Sequence, residues 1–315
     1  MTHARHIYVV GEALMDCLMQ PSGQLLPVRG GSPYNMARAA RLRGAQVSYL
    51  NPLSSDTFGQ SLAAQLQDEG VAMPAQRSLA PTALAMVQMA DGHPSYSFYR
   101  EGVADRDYRV DEVLAYLAQQ AQVHGPGILH TGSLLLIPPE SDKVLALLQA
   151  AKAQGWTISL DVNMRPSVAP DLAAYVQAVR RLMPLADWLK ASDEDLQVLG
   201  FAGVDAPSAP AVAAQVRADG APLVSRLALT FGAQGAFLQT ESGSAWRAAP
   251  AITLVDSVGA GDTFWGNCVA GWALAPGAAD ADDSLRHAMA AAAVNCSRAG
   301  CQPPRWAETQ AFKPL

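Results

Sequence analysis

The chain has 315 residues, half of them apolar and 16% charged, with a formal net charge of −6. This suits one large α/β domain with a sizeable core and excludes a disordered chain. A negative balance without a Lys/Arg-rich run argues against nucleic acid as a partner, and no apolar run reaches the roughly 18 residues of a membrane span.

His6 to Val10 is a short apolar run ending at Gly11 and reads as a buried strand. It begins too close to the N-terminus to leave room for a signal peptide. Glu12 and Asp16 follow it. A carboxylate just past the C-terminal end of a strand stands where open α/β sheets bind ligands, although it serves equally well to cap a turn. Ser22 to Arg29 alternates weakly. Gly30-Gly31-Ser32-Pro33-Tyr34-Asn35 then opens a helix, Tyr34 to Arg43, with Pro33 near its first turn. Gln46 to Leu53 reads as a strand, and Thr57 to Glu69 as an amphipathic helix stopped by Gly70.

Thr82 to Arg100 reads as a β-hairpin with a tight turn at Ala90-Asp91-Gly92. It interrupts the strand–helix series and, with the segment at 22–29, suggests a small sheet outside the main one. From residue 127 the alternation is regular. Strands are expected at Gly127 to His130, Thr157 to Val162 and Trp188 to Ala191, with helices at Pro139 to Gln154, Asp171 to Met183 and Asp193 to Leu199. Such spacing argues βαβ units and a mostly parallel sheet with helices on both faces. Three successive strand cores end in polar clusters, at Thr131 to Ser133, Asp161 to Arg165 and Lys190 to Asp195. Sites in open sheets gather at such ends.

Arg226 to Thr230 is another apolar strand. Phe231 to Gly235 turns it into Ala236 to Thr240, and Ser244 to Arg247 adds an edge strand. Asp256-Ser257-Val258-Gly259-Ala260-Gly261-Asp262 then follows a β-like stretch, Ala251 to Val255, and precedes a helix-like one, Thr263 to Leu274. Small residues at a helix start let backbone N–H groups crowd an anion, and the helix dipole adds to the attraction. Asp262 in that turn is either a helix cap or a base that moves a phosphoryl group onto a hydroxyl. Asp282 to Arg298 is an Ala-rich helix with a polar exit from Asn295 to Cys301. Cys17, Cys268, Cys296 and Cys301 lack metal-ligand spacing and read as reduced thiols of a cytoplasmic protein.

The motifs at 30–35 and 256–262, in that order and near the two ends of the chain, resemble the two signatures of the ribokinase-like (PfkB-type) carbohydrate kinases. The likeness spans Gly11 to about Pro304. It is strongest to the fructokinase branch, through Gly11 to Asp16, Phe98-Tyr99-Arg100, Asp161 to Arg165 and Lys190 to Asp195. It implies a single domain over 1–315, a three-layer α/β/α sandwich with a mostly parallel central sheet. A small β-sheet lid from about 20–30 and 80–101 is expected to double as a homodimer contact. The implied activity is Mg²⁺-assisted transfer of the ATP γ-phosphoryl group to a sugar hydroxymethyl. By resemblance Asp262 is the base, and Gly259, Ala260 and Gly261 form the anion hole. Asp16, Gly30, Gly31, Asn35, Arg100, Asn163 and Arg165 lie on the sugar side. Lys190, Ser192, Thr230, Gly232, Gly235 and Asn295 lie on the nucleotide side, and Asp256 and Val258 fall where some members hold K⁺.

The chain departs from the pattern in places. Ser54 and Asn51-Pro52 replace commoner glycines, which implies local backbone change. Asn267 stands where relatives carry Gly or Ala, Ser192 to Asp195 replaces Asn-x-x-Glu, and Pro304 stands near a frequent Ser. A 2-keto-3-deoxygluconate kinase and a ribonucleoside kinase share many of these motifs. A sugar-binding protein without chemistry is disfavoured by the intact Gly259 to Asp262. A dinucleotide oxidoreductase is disfavoured because no Gly-x-Gly-x-x-Gly follows the first strand.

Overall fold

The computed structural model describes residues 4–20, 22–90, 93–277 and 280–314. Its strands are β1 (Ile7–Val9), β2 (Leu14–Met19), β3 (Leu25–Gly30), β4 (Val47–Tyr49), β5 (Ala83–Ala90), β6 (His93–Tyr99), β7 (Ile128–Gly132), β8 (Thr157–Asp161), β9 (Trp188–Ser192), β10 (Arg226–Thr230), β11 (Ala236–Thr240) and β12 (Gly243–Arg247). Its helices are α1 (Ser32–Leu42), α2 (Thr57–Glu69), α3 (Val110–His124), α4 (Glu140–Ala153), α5 (Leu172–Leu182), α6 (Asp193–Val198), α7 (Ala209–Asp219), α8 (Ala260–Leu274), α9 (Ala281–Cys296) and α10 (Trp306–Ala311).

The main sheet runs β12-β11-β10-β9-β8-β7-β1-β4. Its strands from β10 to β4 are parallel, and β11 and β12 extend it as antiparallel edge strands. Alternate side chains enter opposite cores, as the two-residue period of a strand requires. Ile7, Val9 and Ile128 pack with α1, α2, α8 and α9. Tyr8, Val10 and Leu129 pack with α3, α4, α5 and α7. Burial on both faces is why these strands are mostly apolar. The layered α/β sandwich expected from the alternation is what forms.

A second sheet, β3-β2-β5-β6, stands apart. The hairpin of β5 and β6 forms with Ala90 opposite His93; the turn expected at Asp91-Gly92 lies outside the described residues. The small sheet also includes β2, which runs through Asp16 and was not expected as a strand. That strand pairs antiparallel with β3 and parallel with β5.

Two expectations need correction. Ala251 to Val255 forms no strand: β12 has already taken the sheet edge, and Leu254 and Val255 stay exposed. The Val255 and Asp256 N–H groups go instead to the Cys296 carbonyl. The last motif's helix starts at Ala260 rather than Thr263, so Asp262 sits inside its first turn. Helices α3, α7 and α10 were not anticipated.

Helices α1 and α8 cross at backbone contact. A Cβ on Gly266 would stand 2.7 Å from the Ala39 Cβ and 2.9 Å from the Met36 carbonyl oxygen. Helix propensity favours Ala over Gly by about 1 kcal/mol, whereas overpacking a tight contact costs about 1–3 kcal/mol. Because part of the obstruction is backbone, the packing cost wins. Gly266→Ala should lower the denaturant midpoint and the turnover together, and a raised midpoint would show that the helices are free to separate.

Candidate active site

The crossing of α1 and α8 brings the two glycine-rich motifs face to face. Ser32 and Asn35 lie on the first turn of α1 and Asp262 on the first turn of α8. The Ser32 hydroxyl donates to Asp262 Oδ1 at 2.7 Å, and Asn35 Nδ2 donates to Oδ2 at 3.0 Å. Asp262 is only 8% exposed. Burial pushes its pKa up, while the bonds from Ser32 and Asn35 and the charges of Lys190 and Arg165 pull it down. Gly259 is the N-cap of α8 with φ 73, and no side chain caps that helix. Of the first-turn amides, Ala260 N–H turns back to the Ser257 carbonyl. An uncapped helix start with a carboxylate aimed across it is open to an anion and poised for a proton.

On the small sheet Asp16 lies on β2 beside Gly30, where a Cβ would fall 2.3 Å from Asp16 Oδ2. Burial raises Asp16 to about 6, Arg165 opposes the shift and Asp262 adds to it. These three charged groups therefore share one electrostatic neighbourhood. Gly31, with φ 108, passes so close to the chain before β2 that a Cβ would sit 2.5 Å from the Glu12 carbonyl oxygen. Asn163 lies just beyond β8 with φ 37, and Ser133 just beyond β7 with φ 57. Left-handed backbone at two neighbouring strand ends is the kind of strain that accumulates at functional sites.

Arg100, just past the end of β6, turns its side chain inward. Its guanidinium is buried, 3.6 Å from Asp105, and its Nη1 lies 3.4 Å from the Leu134 carbonyl. Arg100 also pulls down the buried Glu12, which burial raises to about 7. The Arg100 Nε and Nη2, both Asp105 oxygens and Glu12 Oε2 make no hydrogen bond. This under-satisfied cluster joins the end of β6 to the base of the small sheet.

At the ends of the main strands the polar clusters fall into register: Gly132 opposite Asp161, Asp161 opposite Lys190, and Thr230 opposite Ser192. Lys190 Nζ bonds both Asp161 oxygens, at 2.9 and 3.0 Å, with the two side chains 4% and 2% exposed. Burial lowers Lys190, but Asp161 and Asp195 outweigh it and hold the proton on. Burial raises Asp161 to about 6 against the pull of Lys190. A Cβ on Gly261 would stand 3.3 Å from Lys190 Nζ, so this ammonium lies directly beneath the glycine turn. Lys190 thus sits with Asp262 rather than out along the strand ends.

Ser192 and Asp195 form a capping box on α6. Asp195 spends one oxygen on Ser192 N–H at 2.8 Å and the other on Met164 N–H at 2.6 Å, tying α6 to the Asn163 loop. Among the described residues no group of three or more His, Cys, Asp or Glu side chains converges to hold a metal. Gly232 (φ 51) and Gly235 (φ 135) shape the turn after Thr230, where a Cβ on Gly235 would meet the Arg247 carbonyl oxygen at 2.1 Å. Asn295 is fully buried; its amide donates to Val258 O and accepts from Gln302 N–H, both at 2.8 Å. Asp256 accepts from Val258 and Gly300 N–H. Asp256, Val258 and Asn295 therefore tie two loops together beside the start of α8.

Sequence reasoning missed Ser32 and Glu12 as members of the site. Glu12 Oε1 accepts from Ser32 N–H at 3.1 Å and so acts as the cap that Gly31 lacks. The departures elsewhere are structural. Asn51 accepts from Gly11 N–H and donates to the Asp105 carbonyl, and Asn267 reaches back to the Thr263 carbonyl within α8.

The pfkB family carbohydrate kinase profile matches residues 4–308. A fructokinase of Rhizobium leguminosarum bv. trifolii is 32% identical over 263 residues, 82% of this chain and 77% of that protein. Fructokinase-1 of Zea mays is 29% identical over 308 residues, 93% of this chain and 92% of its own. A crystal structure of the Xylella fastidiosa fructokinase with bound ATP superposes with a TM-score of 0.76 at 27% identity, covering 97% of both chains.

The buried ion pair beneath the glycine turn has a measurable consequence. Lys190→Met leaves Asp161 buried without its partner, and should cost about 3–5 kcal/mol in unfolding free energy. Adding Asp161→Leu should restore most of that stability while turnover stays impaired, because the positive charge under Gly261 is still missing. Full turnover in the double variant would show that the pair serves stability only.

Proposed function

Since the chain belongs to the pfkB family carbohydrate kinases and is an ATP-dependent sugar kinase, we propose that its acceptor is a hydroxymethyl of D-fructose. The observation that carries the reading is Asp262, a buried carboxylate bonded by Ser32 and Asn35 at an uncapped helix start. The sugar lies between the small sheet and Asp262, against Asp16, Gly30, Gly31, Asn35, Asn163 and Arg165, with Arg100 behind. Asp262 takes the proton of the acceptor hydroxyl, whose oxygen attacks the γ-phosphorus in line as ADP leaves with the bonding pair. The turn at Gly259, Ala260 and Gly261, the α8 dipole and Lys190 meet the charge on the transferring group. Thr230, Gly232, Gly235 and Ser192 border the nucleotide, and Asn295 fixes the loops beside it.

Magnesium fits as an ion carried on the ATP phosphates, where it neutralises their charge; the described residues offer it no cage. A monovalent cation would meet carbonyls at Asp256 and Val258, of which Val258 O already accepts from Asn295. The small sheet serves as the lid that excludes water. Its exposed Met19, Leu25, Leu26 and Tyr99 suit a second copy of the chain. The free cysteines agree with a cytoplasmic enzyme.

A neutral sugar is favoured over a sugar acid by the surroundings of Arg100. Its charge is already met by Asp105 and Glu12. A substrate carboxylate brought there would be repelled by both acids, whereas a neutral hydroxyl would not.

In a coupled ADP-release assay fructose should be phosphorylated faster than ribose, 2-keto-3-deoxygluconate or ribonucleosides. Asp262→Asn should lose roughly 10²- to 10⁴-fold in turnover with sugar and nucleotide still bound. A fructose rate no higher than the no-sugar background would overturn the substrate, and normal turnover in Asp262→Asn the mechanism.

A further inference from the structure

The two partners of Asp262 are not equivalent. Asn35 offers Oδ2 an amide N–H, a donor in every state. Ser32 offers Oδ1 a hydroxyl, which donates to a carboxylate and can rotate to accept from a carboxylic acid. The Ser32 backbone is pinned: its N–H is held by Glu12 Oε1, and Gly31 before it is wedged against the Glu12 carbonyl. The hydroxyl therefore starts from a fixed point 2.7 Å from the base.

We propose that Ser32 is a positioning residue for Asp262, its hydroxyl donating to the ionised base before phosphoryl transfer and turning to accept once the base carries the sugar's proton. In that step the sugar O–H bond breaks and its proton goes to Asp262, the new O–P bond forms, and the bond to ADP breaks with its electron pair leaving on ADP. Ser32 exchanges no atoms. It keeps a partner for Oδ1 whether that oxygen is ionised or carries the proton, which an amide N–H in its place would not. Glu12 acts one bond further back by holding Ser32. The inference rests on the assignment of Asp262 as the base.

The charged and titratable groups facing Asp262 are Lys190 on β9, Arg165 beyond β8, Asp161 on β8, Asp16 on β2 and the Cys301 thiol of the C-terminal loop. None of them is altered by Ser32→Ala. Removing a donor to the charged form raises an acid's pKa. The acidic limb of kcat/KM for the sugar should therefore move up by about one pH unit, the scale set by one hydrogen bond to a charged group. The deficit should approach roughly tenfold at the acidic end and shrink at the plateau. Sugar affinity measured by calorimetry without nucleotide should be unchanged, and Ser32→Thr, which keeps the hydroxyl, should keep the wild-type limb.

An unmoved limb in folded Ser32→Ala, or a loss confined to sugar affinity, overturns the proposal. If Ser32→Ala does not fold, Ser32→Cys is read in its place. Its weak donor should move the limb in the same direction by less, and an unmoved limb there is equally fatal. Asp262→Asn run alongside separates the two readings. Turnover surviving in Asp262→Asn removes the base itself, whereas turnover lost there with an unmoved Ser32→Ala limb removes only the role of Ser32.

Discussion

Asp262 has to carry a negative charge where little water reaches it. Moving a carboxylate out of water costs several kcal/mol unless donors and opposite charges replace the water. Here the replacements come from elements far apart in the chain: Ser32 and Asn35 from α1, Lys190 from β9 and Arg165 from the loop beyond β8. Each works only at short range, so the position of α1 against α8 is the constraint on which the rest depends. Gly266 meets it by letting the two helices touch at their backbones.

The same charge would be self-defeating beside a phosphate if nothing balanced it. Lys190 supplies the balance, lying under Gly261 with Asp161 holding it in place. That arrangement puts a positive charge behind the turn and the Asp262 carboxylate in front of it. On the other side the charges of Asp16 and Arg165 both act on the same carboxylate's surroundings, and Arg165 lowers Asp16. The small sheet contributes Asp16, and the buried Arg100–Asp105–Glu12 cluster lies at its margin, where Glu12 also holds the Ser32 N–H.

How much of this was legible in the sequence follows from what each residue does. The inner strands were legible because burial on both faces leaves continuous apolar runs, and their polar ends did fall into register. Strand β2 was not, because Asp16 interrupts a short stretch beginning soon after β1. Helices α3 and α7 gave no clear stripe among their Ala and Gln residues. Ala251 to Val255 looked like a strand because apolar residues do not announce whether a sheet edge is free to take them. Gly259 and Gly261 delayed the expected start of α8, since local propensity opposes a helix that tertiary packing imposes. In the site, Asp262 and Asn35 were recognisable by motif, whereas Ser32 and Glu12 were not. A serine on a first turn reads as a cap, and the contact from Glu12 depends on Gly31 folding back against it.

The central claim is that the two motifs meet on one carboxylate between a sugar and a phosphate. A crystal structure of the enzyme with fructose and a non-hydrolysable ATP analogue tests it most directly. The account predicts a sugar hydroxymethyl oxygen within about 2.6–3.2 Å of an Asp262 oxygen, and the γ-phosphate against Gly259 to Gly261. A sugar whose hydroxymethyl groups point away from Asp262, with another side chain nearest the acceptor oxygen, would contradict it.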